Sequence, residues 1–288
     1  MEQNNSNVLT KSLSKTYKKI THAQGVYLYD EDGRRYMDFG AGLAVTNIGN
    51  GVKEVCDAIA KQVYEVTYLN GGAFTSAVRE ELASNIIKLA PEGMERVFFC
   101  SGGSEAVESM AKIARQYQIE MGRPSKYKII SRWQSYHGNT FGTLSLGGRP
   151  SWRCRYDNLL LHMPHIAQCN CYRCPYGLER CSCSVPCAEE LERVIKYEGA
   201  ESVAAFVLEP VTGTTATATV PPVEYMKRIR EICDKYDVLM CCDEVITGLG
   251  RTGKNFAVDH FGVVPDLISV AKGLGGGYVP VGAVIAHK

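Results

Sequence analysis

The sequence has almost no surplus of charge: 32 lysines and arginines stand against 31 aspartates and glutamates, a formal net charge of +1. That balance argues against a nucleic-acid surface, which needs a clustered basic excess. Nor is there an uninterrupted apolar stretch long enough to cross a bilayer. The start, Met1 to Asn7, is polar and lacks the apolar region of a secretory signal, so nothing directs export and the cytoplasm is the expected compartment. Internal repeats are missing as well. An ordinary hydrophobic content of 45% then points to a soluble enzyme with neither a membrane nor a nucleic acid as partner.

What the sequence does hold is a series of short apolar strands, each running into a polar or glycine-rich turn. Asp266-Leu267-Ile268-Ser269-Val270-Ala271 reads as a buried strand that ends at Lys272, and the glycines of Gly273-Leu274-Gly275-Gly276-Gly277 let the backbone approach a bulky ligand. Ligands of open α/β sheets bind at the carboxyl ends of strands, and a partly desolvated lysine there is more often the neutral amine that attacks a carbonyl. The pattern suits an aldehyde such as pyridoxal phosphate. Upstream, the strand Arg96–Cys100 enters Ser101-Gly102-Gly103-Ser104-Glu105, which opens a periodic helix through about Met121. Free N–H groups and the dipole of a helix start attract a phosphate, with Gly102 and Gly103 allowing close approach and Ser104 adding a hydroxyl. The plainer alternative is that Ser104 caps the helix and Glu108 complements its dipole.

Two further strands end in chemistry-bearing residues. Tyr127–Ser131 leads to Tyr136-His137-Gly138, where an aromatic ring could cover a planar heterocycle. Val238–Cys242 runs directly into Asp243, and a carboxylate at the end of so apolar a strand needs a partner. A protonated pyridine nitrogen would be one, and holding it protonated makes the ring an electron sink; an acid that caps the next turn is the alternative. Gly248-Leu249-Gly250-Arg251-Thr252-Gly253 formally matches a dinucleotide fingerprint, but residues 243–247 separate it from the strand and Lys254-Asn255-Phe256 carries no helical stripe.

Taken in order, Gly102-Gly103-Ser104-Glu105-Ala106, Tyr136-His137-Gly138, Glu209-Pro210, Asp243-Glu244-Val245-Ile246-Thr247-Gly248 and Lys272-Gly273-Leu274-Gly275 resemble the class III aminotransferases, from about Ser14 to the last residue. The resemblance implies a fold-type I transferase dependent on pyridoxal 5'-phosphate: a mostly parallel, seven-stranded-type α/β sheet flanked by helices, working as a homodimer or homotetramer with its active site at the subunit interface. It implies that Lys272 carries the internal aldimine and then shuttles the substrate proton. Gly103 and Ser104 would bind phosphate in the Gly102 turn, Tyr136 would stack on one ring face beside His137, and Val245 would pack on the other. Asp243 would pair with the pyridine nitrogen and Glu209 would lie near the ring's substituents. The implied reaction is ping-pong, in which an amine donor leaves its amino group and pyruvate or another 2-oxo acid collects it.

Residues 1–54, with a hairpin on the Asp32-Gly33 turn, read as a segment of a small domain and the substrate entry; residues 55–288 read as the large domain. Members of the family continue past the lysine into a C-terminal small domain, so a fragment is the expectation here. A glutamate that ornithine- and 4-aminobutyrate-type relatives carry after Glu-Pro is Thr214, and the tryptophan of bulky-amine relatives is Ala44. What remains is an ω-amino acid or amine donor, such as β-alanine, taurine or a diamine. The alternatives are a biotin-pathway adenosylmethionine-8-amino-7-oxononanoate-type transaminase and an aminomutase or racemase on the same scaffold. A non-catalytic cofactor- or metal-binding protein is the reading outside enzymes.

That last alternative draws on a cysteine-rich insertion at 169–187. Cys171 and Cys174 have the spacing of a metal knuckle, Cys183 and Cys187 would complete a zinc set, and His162 and His165 lie near in sequence; reduced cysteines in an ordered insertion are the plainer reading. The remaining cysteines, Cys56, Cys100, Cys154, Cys233, Cys241 and Cys242, read as small buried hydrophobes.

Overall fold

The computed structural model describes residues 7–10, 12, 14–180 and 183–288, and the chain divides into two compact units after Thr67. Cys181 of the cysteine-rich insertion and residues 1–6 of the polar start lie outside the described residues. The unit boundary leaves α2 (Lys53–Glu65) with the first unit rather than opening the second at residue 55. Ahead of it are strands β1 (Ile20–Gln24), β2 (Tyr27–Asp30) and β3 (Arg35–Met37), and the short turn of helix α1 (Ala41–Ala44).

β2 and β3 form the expected hairpin, with Tyr27 opposite Met37 and Tyr29 opposite Arg35. Asp30 sets its turn: the buried carboxylate accepts the Tyr36 hydroxyl at 2.6 Å and the Arg34 amide at 2.8 Å, while Gly33 takes the left-handed φ of +76° that a side chain would resist. The Tyr36 hydroxyl first, and then the turn amides, hold Asp30 below the usual carboxylate range. β1 adds a third antiparallel strand, in a segment too polar to announce itself.

In the second unit α3 (Ala77–Leu89) precedes β4 (Met94–Cys100), α4 (Gly103–Glu120) and β5 (Lys128–Arg132). The short helices α5 (Phe141–Leu146) and α6 (Pro150–Arg153) and the two-residue strand β6 (His165–Ile166) follow. The chain continues through α7 (Pro186–Glu198), β7 (Val203–Leu208), α8 (Val223–Lys235), β8 (Leu239–Asp243), β9 (Leu267–Val270) and β10 (Gly282–His287). These strands make one seven-stranded sheet in the order β4-β10-β9-β8-β7-β5-β6. All described pairs are parallel except those of β10, which runs antiparallel to both β4 and β9. Because β10 opposes both neighbours, β4 points the same way as the central strands.

β7 shows why the sheet is covered on both sides. All six of its residues are buried, with Val203, Phe206 and Leu208 in one apolar cluster and Ala205 and Val207 in the other. Side chains alternate across a strand, so a run without polar positions needs two covers. α4 supplies one through Ala106, Val107, Met110 and Ala114, spaced as one helical stripe; α7 and α8 supply the other through Leu191, Ile195, Tyr225 and Ile229. Lys126 joins these layers, its Nζ donating to the carbonyls of Ala200, Val203 and Tyr236 at 2.9–3.0 Å.

Candidate active site

Shared strand direction brings the turns after β4, β5, β7, β8 and β9 to one edge of the sheet, so Gly102–Ser104, Tyr136–His137, Glu209, Asp243 and Lys272 come together although 170 positions separate the first from the last. Asp243 is the best-held of them, 5% exposed at the last position of β8. Its Oδ2 accepts Nδ1–H of the buried His137 at 2.8 Å, and its Oδ1 accepts the Val245 amide at 3.0 Å and the Ser269 hydroxyl at 3.3 Å. The proton of the His137 ring therefore sits on Nδ1, and Nε2 is buried without a hydrogen-bond partner among the described residues.

Lys272 follows β9 with φ of +40°, a left-handed conformation that costs a non-glycine residue of order 1–3 kcal/mol. Burial pulls its amine below the ordinary lysine range; the Asp243 and Glu209 charges pull the other way, and Arg251 adds to the lowering. Glu209, just past β7, is buried, with Oε1 accepting the Gly213 amide at 3.2 Å and Oε2 unpartnered among the described residues. Burial pushes its carboxyl above the usual range, His137 and Arg132 oppose that, and Asp243 reinforces it.

At the start of α4 the cap residue is Gly102, whose backbone is simply extended and whose missing Cβ would meet no protein atom within 4 Å, so this helix start opens onto free space. Gly103 is different: a Cβ there would stand 2.9 Å from Val245 Cγ1, which makes glycine the condition for Val245 to approach. Ser104 does not cap the helix. Its Oγ accepts the Asn139 amide at 3.0 Å, while Glu108 accepts the Gly142 amide and the Thr140 hydroxyl at the start of α5 instead of complementing α4. Gly138 closes this arrangement with φ of +140°; a Cβ on it would lie 2.6 Å from both Ser104 Oγ and Thr143 Oγ1. Tyr136 is half-buried, its ring edge-on to Trp152 at 5.2 Å.

The residues present fit a phosphorylated pyridine aldehyde. An open helix start for an anion, a carboxylate fixed by three donors, a desolvated amine, and two unpartnered buried polar atoms, His137 Nε2 and Glu209 Oε2, lie on one sheet edge. The Gly248–Gly253 run lies in turns rather than at a helix start, which leaves no geometry for a dinucleotide site there.

Ser269 and Arg132 were not visible as site residues. Parallel register places Ser269 beside Asp243, and Arg132, fully buried, donates to the Glu209 carbonyl. The only sequence signal was that Ser269 is a polar residue inside an apolar strand and Arg132 closes one.

Away from this edge, no three His, Cys, Asp or Glu side chains among the described residues converge as a metal-holding group, so Cys171, Cys174, Cys183 and Cys187 are not assembled as a zinc site. His162 is exposed, and His165 donates from Nε2 to the Leu146 carbonyl at 3.0 Å and stacks on Trp133. Cys233, Cys241 and Cys242 are buried as expected, whereas Cys56 and Cys154 are exposed because α2 and the short α6 bury no residue. Among the described residues no helix is long and apolar enough to cross a membrane.

The fold is that of pyridoxal-phosphate-dependent transaminases, and the comparison with known proteins shows the family. The chain belongs to the class III aminotransferase family, whose model matches residues 9–288 and whose cofactor is pyridoxal 5'-phosphate. It is similar to an uncharacterized aminotransferase, YodT, of Bacillus subtilis (39% identical over 280 residues, 97% of this chain and 63% of the relative). The putrescine–pyruvate aminotransferase of Pseudomonas aeruginosa is 40% identical over 271 residues, 93% of this chain and 57% of the relative. A solved amine transaminase from an uncultivated Pseudomonas species, in its pyridoxal-phosphate-bound internal aldimine form, superposes with a TM-score of 0.92 at 34% identity, covering 98% of this chain and 65% of that one. The chain thus spans about three fifths of the length of these relatives.

Proposed function

We propose that this protein is a transaminase that moves an amino group from an ω-amino acid or amine, of the β-alanine, taurine or diamine class, to pyruvate or another 2-oxo acid. The observation that carries the reading is that a desolvated amine, Lys272, and a carboxylate that three donors fix in place, Asp243, end neighbouring strands on one sheet edge. A name that pairs putrescine with pyruvate, given to the Pseudomonas aeruginosa relative, supports a diamine donor and pyruvate acceptor.

Gly102, Gly103 and Ser104 would hold the cofactor phosphate at the start of α4, and Tyr136 and Val245 would pack against its ring. When bound, the cofactor supplies an electron sink for the carbanion left by removal of a substrate proton. Asp243, its carboxylate held in place by His137, would keep a positive charge on the ring nitrogen. Lys272 would anchor the cofactor through Nζ, and its amine, whose basicity burial lowers, would take and return the substrate proton as a general base. Glu209 Oε2 and His137 Nε2, both unpartnered among the described residues, would orient polar groups on the ring. The first unit, with its hairpin, belongs to a small domain, and the protein works as a homodimer or homotetramer.

The test is an absorption spectrum of the protein with pyridoxal phosphate, taken before and after β-alanine, taurine and putrescine, and again after pyruvate. The visible band of lysine-bound cofactor is expected to disappear with one donor and return with the acceptor. A band that no donor discharges would overturn the transaminase reading and favour an aminomutase or racemase.

A further inference from the structure

Next to Asp243 stands a second buried carboxylate that the proposed chemistry leaves unused. Glu244, just past β8, is 1% exposed and has its own set of donors. Its Oε1 accepts the Val258 amide at 2.9 Å, and its Oε2 accepts the Ala257 amide at 2.8 Å and the Thr247 hydroxyl at 2.7 Å. Burial pushes the carboxyl up to about 7 and the Asp259 charge adds to the rise, while the three donors oppose it by favouring the ionised form. These donors come from the two ends of one excursion of the chain. Residues 244–248 form a turn in which the Gly248 amide donates to the Glu244 carbonyl at 2.9 Å. The chain then runs out through the exposed Gly250, Arg251, Gly253, Lys254 and Asn255 and returns to the core at Phe256, which like Val258 is fully buried. Val245 sits inside the first turn. Its amide donates to Asp243 Oδ1 at 3.0 Å, and its Cγ1 stands 2.9 Å from where a Cβ on Gly103 would lie.

We propose that Glu244 is a positioning residue of the site: a clasp that ties the returning chain at Ala257 and Val258 to the turn after β8, and so keeps Val245 against Gly103 with its amide on Asp243. Its effect on the cofactor rests on the transaminase reading, in which Val245 packs against the ring; the hold on Val245 itself does not. A carboxylate suits the task because it only accepts, and its two oxygens take three donors without presenting a hydrogen of their own. The side chain of Glu244→Gln has one oxygen and one NH2 group. In either orientation that group meets the N–H of Ala257 or of Val258, so at least one of the two bonds is lost and two donors face each other. The next ties, the Leu249 amide on the Asn255 carbonyl at 2.6 Å and His260 Nε2 on the Thr252 carbonyl at 3.0 Å, lie farther out, beyond the turn that carries Val245.

The experiment follows amide hydrogen exchange of the whole chain, resolved to single residues, with and without pyridoxal phosphate, beside a titration of that cofactor. In Glu244→Gln, exchange at Ala257, Val258 and Val245 is expected to rise about tenfold or more relative to the β7 amides, with or without cofactor, and the dissociation constant for pyridoxal phosphate to rise about tenfold. Thr247→Val removes one donor, and a smaller rise is expected at the same three amides; Thr247→Ser keeps the hydroxyl and is expected to match the unsubstituted chain. Val245 that stays protected while Ala257 and Val258 open would overturn the proposal. So would a rise shared equally by the β7 amides, since Glu244 would then support the fold as a whole and not the site. The expected exchange pattern in a protein whose unsubstituted form takes up no pyridoxal phosphate would uphold the clasp and overturn the transaminase reading. Normal cofactor discharge by the unsubstituted form, with exchange unmoved in Glu244→Gln, would do the reverse. If Glu244→Gln fails to fold, Thr247→Val decides at the same amides.

Discussion

At the scale of single residues the site separates what holds from what reacts. Asp243 has every sign of a fixed electrostatic element, because three donors on three different segments satisfy it. Asp243→Asn removes the charge and keeps most of the shape. Its expected effect is a loss of about 2–5 kcal/mol of transition-state stabilisation, tens- to thousands-fold in kcat, with cofactor retention changed less. Steady-state kinetics beside a cofactor titration checks this, and unchanged turnover would remove Asp243 from its role. Lys272→Ala is expected to abolish the lysine-bound cofactor band while changing stability by about 1 kcal/mol or less, since the lost group is a half-buried polar one. A persisting band in that variant would mean that another amine holds the cofactor.

Elements decide which of these residues can meet. β7 is buried on both faces, so Phe206→Ala leaves a cavity that α7 and α8 cannot collapse into. The cost is expected to be about 3–5 kcal/mol, seen as a lower urea midpoint with an unchanged slope. The short strand β6 makes a pH prediction. His165 on it is held down to about 4, chiefly by burial and then by the charge of Arg153. Its folded value lies below the unfolded one near 6.5, so the unfolded chain binds the extra proton, and stability present above pH 6.5 is lost as pH falls toward 4. The loss is on the order of 2–3 kcal/mol. His165→Gln keeps a donor for the Leu146 carbonyl but does not titrate, and urea unfolding of it across that window is expected to show a shallower acid limb. An acid limb as steep as that of the unsubstituted protein would assign the effect to other groups.

For the whole molecule, the second unit exposes large apolar side chains such as Tyr68, Phe74, Phe98 and Phe141, more than scattered surface residues usually account for. A homodimer or homotetramer would cover such side chains, and sedimentation equilibrium is expected to return a mass at least twice that of the chain. A monomer at micromolar concentration would contradict the oligomer. Much of this organisation was readable beforehand. The run Val203–Leu208 is apolar without interruption and became β7, Leu267–Val270 is apolar but for Ser269 and became β9, and the Asp32-Gly33 turn became the β2–β3 hairpin. β1 and β6 were not readable, because a polar or two-residue strand carries no period of its own. The outward position of Cys56 and Cys154 was hidden for a similar reason: burial depends on what an element packs against, and composition does not say.

The sequence by itself determined which residues could do the chemistry. A lysine, an aspartate, a glutamate and a glycine-rich helix start each follow an apolar strand, and strand ends are where an open sheet binds ligands. Only the tertiary structure decided how they are coupled. That His137 rather than a distant group holds Asp243, that Ser269 joins it, and that Ser104 serves Asn139 instead of its own helix all follow from strand register and loop closure. Register is set by pairing between strands far apart in the chain, where a one-residue slip would turn every side chain to the opposite face.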